Sequence, residues 1–80
     1  MKHILFTSNT CKNCPGMKRN LDKLGVQYDT VSVDEKAGAK MASGYRIIAL
    51  PSLLLFKDDK PNKVIPGLVP VDKLKMMLHI

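Results

Sequence analysis

The stretch HILFTSNTCKNCPGMKRNLDKLGVQYDTVSV, residues 3–33, decides the fold. HILF, residues 3–6, is a short apolar run stopped by the polar TSNT, the pattern of a buried strand. From Cys14 onward, Met17, Leu21 and Leu24 recur at spacings of four and three. That is the apolar stripe of a helix, and Gly25 supplies its C-terminal cap. Lys18, Arg19, Asp22 and Lys23 fill the other face. VQYDTVSV, residues 26–33, is rich in β-branched side chains, with Val31 and Val33 alternating with Thr30 and Ser32, and reads as a second strand. Strand, helix and strand in this order make a right-handed crossover, so the two strands are expected to lie parallel.

Downstream, Asp34 is placed to cap a helix through EKAGAKMASG, residues 35–44, with Ala37 and Met41 four apart and Gly44 closing it. Gly38 in its middle opposes the helix by about 1 kcal/mol relative to Ala. SLLLFK, residues 52–57, is a continuous apolar run of the kind found in a strand covered on both faces. DDKPN, residues 58–62, is turn chemistry leading to KVI, which makes a hairpin. After PGLVP, residues Val71, Leu74, Met77 and Leu78 form a last helical stripe, with Pro70 pre-set for the first turn and Asp72 favourable near the helix N-terminus. The expected architecture is α/β, in the order β-α-β-α-β-β-α: one mixed four-stranded sheet flanked by three helices on both faces.

The 80 residues allow one domain, residues 1–80, since a chain this short buries only about 60% of its unfolded surface. A composition of 45% hydrophobic and 25% charged residues is that of a globular chain. No apolar run reaches the roughly 20 residues of a membrane helix. The amino-terminal residues lack the apolar region and cleavage site of a signal peptide, so a cytoplasmic location without membrane association is expected. The net charge of +6 comes from 13 Lys and Arg against 7 Asp and Glu. The basic residues are dispersed, and with two Phe, two Tyr and no Trp the chain lacks stacking aromatics, which argues against a nucleic-acid partner. A monomer is expected.

The only cysteines, Cys11 and Cys14, stand three positions apart at the junction of the first strand and first helix. Unsatisfied N–H groups and the helix dipole there favour a negative charge on Cys11, with Lys12 beside it. Cys14, read as one turn inside the helix, lies deeper against the core and stays a thiol. This asymmetry suits thiol–disulfide exchange, with Cys11 attacking and Cys14 resolving the mixed disulfide. A metal site needs two further ligands or one with an open position. His3 and His79, near opposite ends of the chain, match no metal-binding pattern, so no metal site is assigned and both read as surface residues. ALPS, residues 49–52, sets Pro51 at the mouth of the third strand. The residues alone leave open a simple strand-start proline or a cis Leu50–Pro51 bond that frees the Leu50 backbone for an extended substrate.

CKNC after an apolar first strand, GYRIIALPSLLLFKDDK with its proline before the third strand, and VIPGLVPVDKLKMML with Gly67 ahead of a final amphipathic helix together resemble the thioredoxin/glutaredoxin superfamily over almost the whole chain. The resemblance implies a thioredoxin-like fold. It also implies a dithiol–disulfide oxidoreductase with Cys11 as nucleophile, Cys14 as resolving thiol and a cis Pro51 facing them. Lys12, Asn13, Leu50, Pro51, Gly67 and Leu68 become candidate substrate contacts. The length and strand order resemble glutaredoxins, whereas GYRIIALPSLLLFKDDK is similar to thioredoxin. The Trp beside the motif and the buried acid of thioredoxins are missing, so removal of the Cys14 proton falls to another group, such as water. The Gly-Gly with which glutaredoxins hold glutathione is also missing, its place taken by PGLVPVDK. Expected partners are proteins containing disulfides and, as electron donor, a thioredoxin reductase-like flavoenzyme or glutathione. No bound cofactor is expected beyond the Cys11–Cys14 redox disulfide itself. The rival is a non-enzymatic binding module, or a metal-bridged dimer held through the cysteine pair.

Overall fold

The computed structural model describes residues 3–80 and sets seven elements in the expected order among them: β1 (His3–Thr7), α1 (Cys14–Lys23), β2 (Tyr28–Ser32), α2 (Lys36–Gly44), β3 (Ser52–Lys57), β4 (Lys60–Pro66) and α3 (Val71–Leu78). The strands form one sheet in the order β2-β1-β3-β4. β1 pairs in parallel with β2, His3 opposite Tyr28 and Thr7 opposite Ser32. It pairs antiparallel with β3, Phe6 opposite Ser52, and β3 pairs antiparallel with β4. The expected thioredoxin-like α/β architecture is the observed one.

The pleat of the two central strands builds a core on each face, because successive side chains point to opposite sides. Leu5, Leu53, Leu55 and Ile65 pack with Met17 and Leu21 of α1 and with Val69 and Leu74 near or on α3. Phe6 and Leu54 turn the other way, onto Ala42 of α2, with Ile4, Val31 and Phe56 around them. Of these, Leu5, Phe6, Met17, Leu21, Leu53, Ile65 and Leu74 are fully buried, and burial of a side chain of this size contributes about 1.5–3 kcal/mol. β1 and β3 are therefore held from both sides, and the loops at the carboxyl end of β1 rest on a stiff platform.

Several boundaries differ from the sequence expectation. β2 is shorter than 26–33, running Tyr28–Ser32. The hairpin turns on Asp58 and Asp59 alone, both with positive φ (54° and 66°), a geometry that Asp tolerates better than most residues. Lys60, Pro61 and Asn62 thus belong to β4, where a proline is allowed because β4 is the edge strand. In α2 the N-cap is Glu35, with no side-chain capping bond, and Asp34 is engaged elsewhere. Its buried residues are Gly38 and Ala42, while Ala37 and Met41, the expected apolar pair, face solvent. The cause is distance: a Cβ on Gly38 would lie 1.8 Å from the Ser32 carbonyl oxygen, so the helix approaches β2 on its smallest residues. His3 is not a plain surface residue. It is half-buried, and its Nδ1 accepts the Phe56 N–H at 3.1 Å.

Candidate active site

The parallel register of β1 and β2 brings their carboxyl ends side by side, and the cysteines follow β1 there. Val33 N–H still donates to Thr7 O at 2.9 Å, which extends the pairing past the last strand residues. Next along each segment, Asp34 meets the Ser8–Asn9 turn. Its Oδ1 accepts from the Ser8 hydroxyl at 3.0 Å and its Oδ2 from the Asn9 N–H at 2.6 Å. Ser8 Oγ in turn accepts the Thr10 N–H at 3.2 Å, and Ser8 O accepts the Cys11 N–H at 3.2 Å.

Cys11 and Cys14 are joined in a disulfide with their Cα atoms 5.5 Å apart. Cys11 is half-buried, and Cys14 is only 3% exposed. Cys14 is the first residue of α1 and not one turn inside it, and Asn13 is the N-cap. The reason lies in Pro15: with no N–H to donate, proline fits the first turn of a helix and holds the start of α1 at the second cysteine. Asn13 makes no side-chain capping bond and the first turn has no acidic residue. The positive dipole end of α1 is therefore not offset by a side chain of its own cap or first turn. Lys12 and Asn13 are exposed.

The other candidate residues lie on two loops that are bonded together. Leu50–Pro51 is a cis peptide, Pro51 is buried, and Gly67 N–H donates to Pro51 O at 2.6 Å. Gly67 takes a φ of +80°, which a residue with a side chain seldom adopts. Leu68 is 46% exposed, and its Cδ1 lies 3.3 Å from where a Cβ on Gly16 would be, in the first turn of α1. The Gly67–Leu68 loop thus bridges from the proline loop to the cysteine helix. A further tie comes from Asn20, whose Nδ2 donates to Val69 O at 2.8 Å. The buried Ser52 hydroxyl donates to Ala49 O and closes the proline loop on itself.

Asp34, Asn20 and Ser52 have no place in a motif-based reading, since each acts through a partner on another segment or through a turn. The parallel crossover is the one signal that could have pointed to Asp34, because residues that follow two paired parallel strands must meet. Ile48 is also new: it is 97% exposed and stands on the rim of a groove of about 840 Å³ bordered by Val33, Ala42, Ile47 and Leu50.

The sequence profile of the glutaredoxin family matches residues 4–48, from β1 to the rim of the proline loop. The chain belongs to the glutaredoxin family. Its relatives also include thioredoxins. A chloroplastic thioredoxin Y of Oryza sativa subsp. japonica is 30% identical over 73 residues, covering 86% of this chain. The chain spans only 44% of that rice protein's length. A thioredoxin of Staphylococcus aureus is 26% identical over 77 residues, 91% of this chain and 74% of its own. Among solved structures, a mutant thioredoxin from Halobacterium salinarum NRC-1 superposes with a TM-score of 0.83 at 25% identity, covering 96% of this chain and 70% of its own. Family, fold and the bonded cysteine pair together place this glutaredoxin-family chain among the dithiol–disulfide oxidoreductases. The chain thus matches a glutaredoxin profile while its relatives named here are thioredoxins, in line with the mixture of characters read from the residues. Among the described residues no helix is long and apolar enough to cross a membrane.

Proposed function

We propose that the chain reduces protein disulfides, with Cys11 as nucleophile and Cys14 as resolving thiol. Cys11 enters as a thiolate and attacks one sulfur of the substrate disulfide. A Cys11–substrate bond forms, the substrate S–S bond breaks, and the released substrate thiolate takes up a proton. Cys14 then gives its proton to water and attacks the Cys11 sulfur, so that the Cys11–Cys14 bond forms and the second substrate thiolate leaves and is protonated. In sum two electrons and two protons pass to the substrate, and no bound cofactor takes part.

The observation that supports these roles is the contrast in burial across one disulfide, a half-buried Cys11 bonded to a Cys14 that is 3% exposed. On this reading the less buried Cys11 meets the macromolecular disulfide, and burial keeps Cys14 protonated until the mixed disulfide brings its target next to it. The Leu50 backbone, Pro51, Gly67 and Leu68 would receive an extended substrate segment, with Lys12 and Asn13 along its other side. The exposed Leu68 and Ile48 suit an apolar flank on that segment. Re-reduction by a thioredoxin reductase-like flavoenzyme fits better than by glutathione, since the glycine pair of a conventional glutathione site is absent from PGLVPVDK. The reading places the chain as a monomer in the cytoplasm, a reducing compartment in which the Cys11–Cys14 pair can be returned to its thiol form.

The test is direct. In the reduced protein Cys11 should alkylate much faster than free cysteine near neutral pH, and Cys11→Ser should abolish insulin disulfide reduction. Cys14→Ser should carry out only the first attack and accumulate the mixed disulfide. A Cys11 no more reactive than free cysteine, or stoichiometric zinc in the purified protein, would overturn the assignment in favour of a binding or metal-bridging role. Turnover with NADPH and thioredoxin reductase, compared with turnover on glutathione, decides the donor.

A further inference from the structure

We propose that Asp34 is a positioning residue for the nucleophile: its carboxylate clamps the Ser8–Thr10 turn and thereby holds Cys11 at the N-terminal end of α1. The proposal rests on the oxidoreductase reading above. Asp34 belongs to no cysteine motif and lies 23 positions beyond Cys11 in the chain. It does not serve its own helix, since Glu35 occupies the N-cap of α2 and no side-chain capping bond is made there.

Both oxygens of the carboxylate are committed to the turn that carries the nucleophile, one to the Ser8 hydroxyl and the other to the Asn9 N–H. The Asp34 backbone is itself fixed, its N–H donating to Ser32 Oγ at 3.2 Å. Ser8 passes the constraint on through two atoms. Its Oγ lies 3.1 Å from Thr10 Oγ1 and accepts the Thr10 N–H, and its carbonyl accepts the Cys11 N–H. The path from Asp34 to the Cys11 backbone is thus two hydrogen bonds long. Bonds to an ionised carboxylate are the stronger kind, and two of them to adjacent residues fix the direction of a turn as well as its position. The field at the start of α1 falls off within its first turn, so small displacements of Cys11 alter how well its thiolate is stabilised.

The experiment compares the wild type with Ser8→Ala, Asp34→Ala, Asp34→Asn and the Ser8→Ala/Asp34→Ala double variant. The readouts are the pH midpoint of Cys11 alkylation in the reduced protein and the rate of insulin reduction. A clamp predicts that Ser8→Ala and Asp34→Ala both raise the midpoint, by about half a pH unit, a roughly threefold loss of thiolate at pH values below the midpoint. Asp34→Asn, which keeps one acceptor, falls between wild type and Asp34→Ala. The double variant exceeds Asp34→Ala by less than the full Ser8→Ala effect, because the two residues share the Ser8 hydroxyl–Asp34 bond while Asp34 alone holds the Asn9 N–H. An Asp34 that acts only through its charge gives the opposite sign: Asp34→Ala lowers the midpoint and Ser8→Ala leaves it alone. That result, or wild-type midpoints in both single variants, overturns the clamp while leaving the enzyme reading intact. A wild type without fast alkylation or insulin reduction overturns both. Ser8→Ala removes a single surface hydroxyl and reads out the clamp even where Asp34→Ala does not fold.

Discussion

His3 shows how one side chain ties the fold to solution pH. Its Nδ1 accepts the Phe56 N–H, a role that only the neutral ring can fill, and burial holds its pKa below the usual 6.5. As pH falls through 6.5 the unfolded chain takes up this proton while the folded chain does not, so the unfolded state binds more protons and stability declines. The decline continues to the lowered folded-state value and then levels off; above the unfolded value the contribution is complete. Urea midpoints measured between about pH 7.5 and about pH 5, where carboxylates still stay ionised, should fall for the wild type and stay flatter for His3→Asn, whose amide oxygen can replace the acceptor. Equal slopes in the two proteins would refute this account. The cysteines were legible as a pair because their spacing and the strand before them are local. The burial of His3 was not, since its partner lies 53 positions away.

At the scale of elements, the packing of α2 on β2 turns on Gly38. A glycine inside a helix reads as a defect in the sequence, about 1 kcal/mol worse than alanine. In the fold it is what permits the contact, because a Cβ there would lie 1.8 Å from Ser32 O and 3.1 Å from Val31 Cγ1. Gly38→Ala is expected to destabilise the protein by at least about 1–3 kcal/mol, the usual cost of overpacking, in spite of alanine's better helix propensity. Urea unfolding measures it, and an unchanged or stabilised variant would show that α2 can move away at no cost. The same displacement would strain the Asp34 segment that joins β2 to α2, so loss of the clamp should accompany loss of stability. The apolar pattern misidentified the buried face of this helix for the same reason: small residues that allow close approach carry little hydrophobic signal.

For the whole molecule, the disulfide is expected to contribute little to stability. It links residues three positions apart. Cross-linking a loop of that length removes about 2 kcal/mol of chain entropy at most, against about 3 for a 15-residue loop. Urea unfolding of the oxidised and dithiothreitol-reduced forms should differ by no more than that amount, and a much larger difference would mark the bond as structural. A pair that can open without loss of the fold is what a redox cycle needs. The order of the elements, the mixed sheet and the pair at the strand–helix junction were determined by the sequence alone, because periodicity, turn residues and cysteine spacing act over a few positions. Only the tertiary structure decided that Asp34 grips the Ser8 turn, that Asn20 holds the Val69 loop and that Gly38 faces Ser32. Those contacts depend on strand register and interlayer distance, which join segments far apart in the chain and leave no local pattern to read.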